Sequence, residues 1–190
     1  MVQAERNFAV FAHAYQPVRT VSLPDSSLLE VVPAVNDQIQ DECYKPVLGN
    51  PEPLPRGLIF SFYAPLREWM RRSHPFEFAR IRANIQAMPE REYTVLGDPF
   101  IHTILPLLPK EDQDMLIRTG RAAFTADFGF EQKGLWLPET AVSYETLESV
   151  RNNGYEFVAL RASQLISPER NPMFVRLANG HEMAVFHFDT

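Results

Sequence analysis

Short apolar runs alternate with segments of helical spacing along this chain, and that alternation constrains the fold more than any other feature. The runs are Phe8-Ala9-Val10-Phe11-Ala12, Leu58-Ile59-Phe60-Ser61-Phe62-Tyr63, Tyr93 to Leu96, Gly134 to Leu137, Phe157 to Leu160 and Met183 to Phe188. Runs this short and this apolar suit strands buried on both faces. Between them, Leu66 to Arg72 reads as a short helix. Glu77 to Met88 reads as a longer one, with Phe78, Ile81, Ile85 and Met88 on one face. Phe100 to Leu108 reads as helical, with a kink or stop at Pro106. Asp112 to Phe128 has the clearest periodicity, placing Leu116, Ala123, Phe124 and Phe128 together. Ser143 can cap a further helix that ends at Asn153-Gly154. Strands alternating with helices predict an α/β fold of parallel strands joined by crossover helices.

One stretch resists that pattern. Residues 18–57 carry Pro24, Pro33, Pro46, Pro51, Pro53 and Pro55, each of which fixes φ and removes a backbone donor. A long Pro-rich loop is expected there, interrupted by a helical turn around Asn36 to Tyr44. A loop of this length in a compact domain is usually functional.

Composition narrows the class. Hydrophobic residues are 45% and charged residues 22% of the 190, which supports a packed core rather than disorder. The net charge of -6 repels phosphate backbones, so nucleic acid is not an expected ligand. The single cysteine, Cys43, cannot form an internal disulfide and reads as structural. The polar start, Met1 to Asn7, lacks the basic and long apolar regions of a signal peptide. No segment approaches the roughly 20 apolar residues that span a bilayer. A soluble cytoplasmic protein without a membrane partner is the expectation.

In parallel α/β folds ligands bind beyond the carboxyl ends of the strands. The first strand runs into His13-Ala14-Tyr15-Gln16-Pro17. The third ends at Asp98, with His102 four residues on. The fourth leads to Glu139, and the fifth ends at Arg161. Parallel strands would gather all of these on one rim. Glu139 follows Trp136, Leu137 and Pro138, an apolar and stiff approach that would desolvate its carboxylate in part and limit its rotamers. Both conditions suit a nucleophile. Trp136 offers a flat surface for a sugar ring. The plainer alternatives are a solvated loop glutamate, histidines that bond to backbone or pack on a helix, and an arginine paired with a surface acid.

Gly134-Leu135-Trp136-Leu137-Pro138-Glu139-Thr140-Ala141 resembles the motif of glycoside hydrolase family 57 that holds the nucleophilic glutamate. His13-Ala14-Tyr15-Gln16-Pro17 is similar to that family's N-terminal histidine-glutamine-proline motif. Asp98 to Leu108, with His102 and Leu105-Pro106-Leu107-Leu108, is similar to the segment where the family carries a histidine before a proline-leucine run. The three motifs span His13 to Ala141 in family order. The chain looks closest to an uncharacterised branch of the family, which carries a tyrosine in the first motif, and Glu42-Cys43-Tyr44 also resembles that branch. Tyr15 stands where better-known members have histidine, and it should face the sugar.

The resemblance implies the N-terminal part of a seven-stranded (β/α) barrel, incomplete over residues 1–190. It implies α-glucan or related oligosaccharide substrates, retention of configuration, no cofactor, Glu139 as nucleophile, and His13, Tyr15, Gln16, Asp98, His102 and Trp136 around the substrate; Arg161 joins the candidate substrate-binding set only from its place at the end of the fifth strand. The family's acid/base is an aspartate well downstream of the glutamate motif. Asp189 is the only aspartate after Glu139 and is not expected to fill that role, so the acid/base is expected in a missing C-terminal segment. An incomplete barrel would leave an unpaired edge on Met183 to Phe188, inviting self-association or a completing segment.

Two rival readings remain. A metal-dependent polysaccharide deacetylase would use a related barrel, but it needs an Asp and two His ligands at helical spacing, and the chain has no His-x-x-x-His pair. A non-catalytic carbohydrate-binding protein would keep the aromatic and histidine positions without an acid/base. His187-Phe188-Asp189 offers two metal-ligand types on one strand face, but no third is evident, so no metal site is expected.

Overall fold

A computed structural model describes residues 9–15, 35–50, 54, 57–166 and 172–188. Gln16, Asp189 and much of the Pro-rich stretch lie outside these residues.

β1 (Val10–Ala14), β2 (Leu58–Phe62) and β3 (Val95–Leu96) pair in parallel in that order. β4 (Gly134–Leu135), β5 (Phe157–Arg161) and β7 (Glu182–Phe188) form a second parallel set. The sets join where Gly97 bridges to Leu135 in parallel. There the Gly97 N–H donates to the Gly134 carbonyl at 2.8 Å, and the Trp136 N–H to the Gly97 carbonyl at 2.7 Å. Apart from one strand, the expected parallel α/β fold is what forms. The exception is β6 (Met173–Arg176), which lies antiparallel on β7. The sheet curves until the rings of Phe11 of β1 and Phe188 of β7 meet, tilted, with centroids 5.6 Å apart, but no hydrogen-bonded pairing closes it into a barrel among the described residues.

The helical stretch of residues 35–48 includes a π-helical turn, Gln40–Tyr44, and ends in α1 (Lys45–Leu48). It is followed by α2 (Ala64–Ser73), α3 (Pro75–Ala87), α4 (Arg91–Thr94), α5 (Lys110–Phe128) and α6 (Tyr144–Asn152). Ser143 caps α6 as expected, accepting a bond from the Thr146 N–H at 3.1 Å. Two apolar cores result. One packs Phe60, Phe62, Met70, Ile81 and Phe124 beneath the first strands. The other packs Leu135, Leu147, Val150, Val158 and Val185 beneath the second set. α5 serves both, sending Phe124 and Phe128 into the first and Ile117 into the second. Each such side chain contributes about 1.5–3 kcal/mol on burial. The stripe that α5 buries is Gln113, Ile117, Gly120, Phe124 and Phe128, while Leu116 and Ala123 are only half-buried.

Several local expectations change. β1 spans Val10–Ala14, and Val10 is exposed, because among the described residues only β2 pairs with this strand. Tyr93 and Thr94 turn in α4 instead of extending, leaving β3 only two residues. Residues 100–104 are irregular, and only Leu105–Leu107 make a 3₁₀ turn, because the Phe100 N–H leaves the local chain to bond the Leu116 carbonyl of α5 at 2.9 Å. The edge expected on β7 is covered only over Glu182 to Val185. β6 was not foreseen, and it supplies that cover. Cys43 is exposed and does not pack in a core.

The approach of residues 98–100 to α5 requires a residue without a side chain. A Cβ on Gly120 would lie 2.1 Å from the Asp98 carbonyl and 2.9 Å from the Phe100 nitrogen. Gly120→Ala should therefore destabilise the chain by about 1–3 kcal/mol in urea unfolding, although alanine is the better helix former. Equal or greater stability of that variant would show that the contact yields without cost.

Candidate active site

The carboxyl ends of β1 to β4 bring one aromatic and ionisable cluster together. His13 lies within β1 rather than after it, opposite Ser61 of β2, and its Nδ1 hydrogen-bonds the Ser61 hydroxyl. Tyr15 follows β1 and stacks on His13 with ring centroids 5.5 Å apart. It also meets His102 at 4.4 Å and Tyr63 at 4.8 Å. Its carbonyl accepts a bond from the Tyr44 hydroxyl at 3.0 Å, so the helical stretch of residues 35–48 helps to hold it. Trp136 stacks on the His13 ring at 5.4 Å and on Phe188 at 6.0 Å.

Asp98 leaves β3 through Gly97, and its side chain is only 2% exposed. Its Oδ1 lies 4.0 Å from His13 Nδ1. Burial pushes its carboxyl up to about 8, a shift that the Arg67 charge and the neighbouring Ser61 hydroxyl only partly offset. Burial first, and then the field of His102, pushes His13 down to about 4. At neutral pH these shifts favour a neutral His13 and a protonated Asp98. His102 is also lowered by burial, against the pull of the Glu139 carboxylate. The backbone N–H of His102 donates to the Tyr63 hydroxyl at 3.0 Å, which anchors the irregular segment.

Glu139 emerges from this cluster. Leu137 and Pro138 before it are buried, so the approach is apolar, but the Glu139 side chain is 71% exposed. The expected desolvation of its carboxylate is not found: the backbone is enclosed and the carboxylate reaches solvent. Its Oε1 lies 3.6 Å from His102 Nε2. Glu139 and Thr140 both adopt the left-handed region, at φ 56° and 53°. Two successive non-glycine residues there are strained by about 1–2 kcal/mol each, and such strain tends to collect at functional sites. Gln164 Nε2 donates to the Thr140 carbonyl at 2.8 Å and helps to hold the turn.

The cluster thus contains His13, Tyr15, Asp98, His102, Trp136 and Glu139. Arg161 ends β5 but is exposed, and no hydrogen bond, ion pair or ring contact among the described residues ties its side chain to the cluster. Three contributors escaped the sequence reading. Ser61 is the one polar residue in an apolar run, and that alone could have marked it, because a buried hydroxyl needs a partner. Tyr63, next to the end of β2, had no comparable signal. Arg67 is buried in α2, bonding the Asp127 carboxylate at 2.8 Å. A helical arginine normally reads as solvated, so nothing in the sequence pointed to it.

The model of glycosyl hydrolase family 57 matches residues 12–190, and the chain belongs to that family. A 4-alpha-glucanotransferase of Thermococcus kodakarensis is 28% identical over 125 residues, covering 65% of this chain and 18% of that protein. An alpha-amylase of Pyrococcus furiosus is 26% identical over 125 residues, covering 65% of this chain and 19% of that protein. The chain therefore spans less than a fifth of the length of these relatives. The crystal structure of a 4-alpha-glucanotransferase from Thermococcus litoralis matches with a TM-score of 0.73 at 22% identity, over 97% of this chain and 28% of that one. No helix among the described residues is long and apolar enough to cross a membrane.

The strained turn makes a prediction about stability. Glu139→Gly removes one left-handed non-glycine residue and should raise stability by up to about 1 kcal/mol in urea unfolding. A clear loss of stability would show that the carboxylate contributes more to folding than its backbone costs.

Proposed function

We propose that this chain is the N-terminal part of the catalytic barrel of a retaining glycoside hydrolase or glucanotransferase acting on α-glucans or related oligosaccharides, with Glu139 as nucleophile. The observation that carries this reading is the position of Glu139. Its carboxylate is open to solvent at the end of β4, 3.6 Å from His102 and beside a wall of stacked rings. Attack by that carboxylate on an anomeric carbon would give a glycosyl-enzyme, which water resolves in hydrolysis and a sugar hydroxyl in transfer. The rigid turn supports near-attack geometry, because a nucleophile with a fixed backbone loses little freedom on the way to the transition state. His102 can hold the carboxylate in one orientation through its ring N–H. Trp136, Tyr15 and His13 offer flat and hydrogen-bonding surfaces to the sugar, Gln16 completes the proposed contacts, and Asp98 supports the binding set from beneath, beside His13.

A retaining site needs a second carboxyl about 5–5.5 Å from the first, to protonate the leaving oxygen. Asp98 is buried among the side chains of the cluster and is not free to reach a substrate. The acid/base is therefore assigned to polypeptide further along than these residues. The deacetylase alternative draws on one observation, the grouping of Asp98 with His13 and His102, while the family membership supports the glycosidase.

Glu139→Gln in a full-length protein containing this chain should lower turnover on the order of 10³-fold or more while substrate still binds. Near-normal turnover would remove Glu139 from the role. The 190-residue chain alone should show no glucan cleavage in a reducing-sugar assay. Robust turnover would locate the acid/base within it.

A further inference from the structure

We propose that His13, Asp98 and His102 bind a single divalent cation of the zinc class at the base of the candidate active site. One donor atom from each of the three lies within 4.8 Å of the others. Zinc bonds of about 2.0–2.2 Å hold neighbouring ligand atoms roughly 3 Å apart, so side-chain rotations of under about 1 Å per atom would close the set. The backbone need not move. His13 is fixed in β1, Asp98 follows the bridge at Gly97, and His102 is tied to Tyr63 through its N–H.

The second observation is a concentration of unmet polar atoms. Both Asp98 carboxylate oxygens, His13 Nε2 and His102 Nδ1 are buried without a hydrogen-bond partner among the described residues. Buried polar groups are nearly always satisfied, and orphans on all three of these neighbouring residues call for something that satisfies them together. Asp98, releasing its proton as a cation binds, makes a metal donor set with the two imidazoles. The remaining ring nitrogens are already engaged: His13 Nδ1 with Ser61, and His102 Nε2 facing the Glu139 carboxylate at 3.6 Å. Metal-binding histidines characteristically use the second nitrogen in this way, which fixes the tautomer and aims the first. Two imidazoles and one carboxylate suit zinc, cobalt or iron(II), whereas magnesium and calcium prefer oxygen sets.

Three protein ligands leave a coordination position open, towards water or a sugar hydroxyl. The site shares His102 with the nucleophile assignment but does not depend on it, and binding can be read without any turnover. The test is titration of the metal-stripped 190-residue chain with Zn²⁺ by calorimetry, with Mg²⁺ as comparison and Co²⁺ as a spectroscopic probe. The expected result is one saturable Zn²⁺ site, visible cobalt bands of nitrogen ligation, and a melting temperature raised by Zn²⁺. Asp98→Asn and His102→Gln should each weaken Zn²⁺ binding at least about tenfold, while Glu139→Gln, which touches only the outer side of His102, should weaken it less. A cooperative melt checks that each variant folds. Zinc-soaked crystals give a reading independent of any variant: an anomalous peak between His13, Asp98 and His102 supports the site. The proposal is overturned by absence of saturable binding, by affinity unchanged in folded Asp98 and His102 variants, or by anomalous peaks only elsewhere, which would mean an adventitious ion only.

Discussion

Parallel pairing is the constraint on which the rest of this molecule depends. In a parallel sheet every strand delivers its carboxyl end to the same side, and the chain returns beneath by helix. His13, Ser61, Asp98 and Glu139 are far apart in sequence, yet the register of β1, β2 and β3 and the Gly97 bridge to β4 place them side by side. The pairing of His13 with Ser61 is itself a register partnership. A slip of one residue would turn the histidine to the opposite face of the sheet.

The site is polar because the cores beneath it are not. α5 fills both apolar cores from one helix, and at Gly120 it lets the exit from β3 lie against its backbone. Asp98 is driven into a place with little water by packing that it does not take part in. Arg67 sets the field around it from α2, bonding Asp127 and lying 5.1 Å from the Phe124 ring centroid. The energy that keeps a carboxyl group out of water comes from the phenylalanines and isoleucines below. That coupling lets the rim hold groups whose protonation differs from their behaviour in solution.

Much of this was legible in the sequence, for physical reasons. Apolar periodicity over α3 and α5 is long enough to override local ambiguity, and Ser143 and Gly154 punctuate α6 by hydrogen bonding and backbone freedom. The motifs around His13, Asp98 and Glu139 identified groups that do converge. The failures are local and share a cause. Residues 100–104 and 93–94 have compositions that tolerate several conformations, and tertiary bonds such as Phe100 to Leu116 decide among them. β6 was missed because Met173 to Arg176 is too short to announce itself, and its strand character comes from the β7 partner. The left-handed turn at Glu139 was invisible, since neither glutamate nor threonine advertises positive φ.

The β6–β7 hairpin has a bearing on how such a chain is made. Parallel neighbours such as β5 and β7 must wait for distant segments to meet, while β6 and β7 are joined by a tight turn at residues 177–181 and can pair as soon as both have left the ribosome. Until then, the growing sheet would offer the backbone of β7 to any other nascent strand. A four-residue β6 covers Glu182 to Val185 of that flank early, and it is too short to be a good template in its own turn. The hairpin thus works as a built-in chaperone for a sheet under construction.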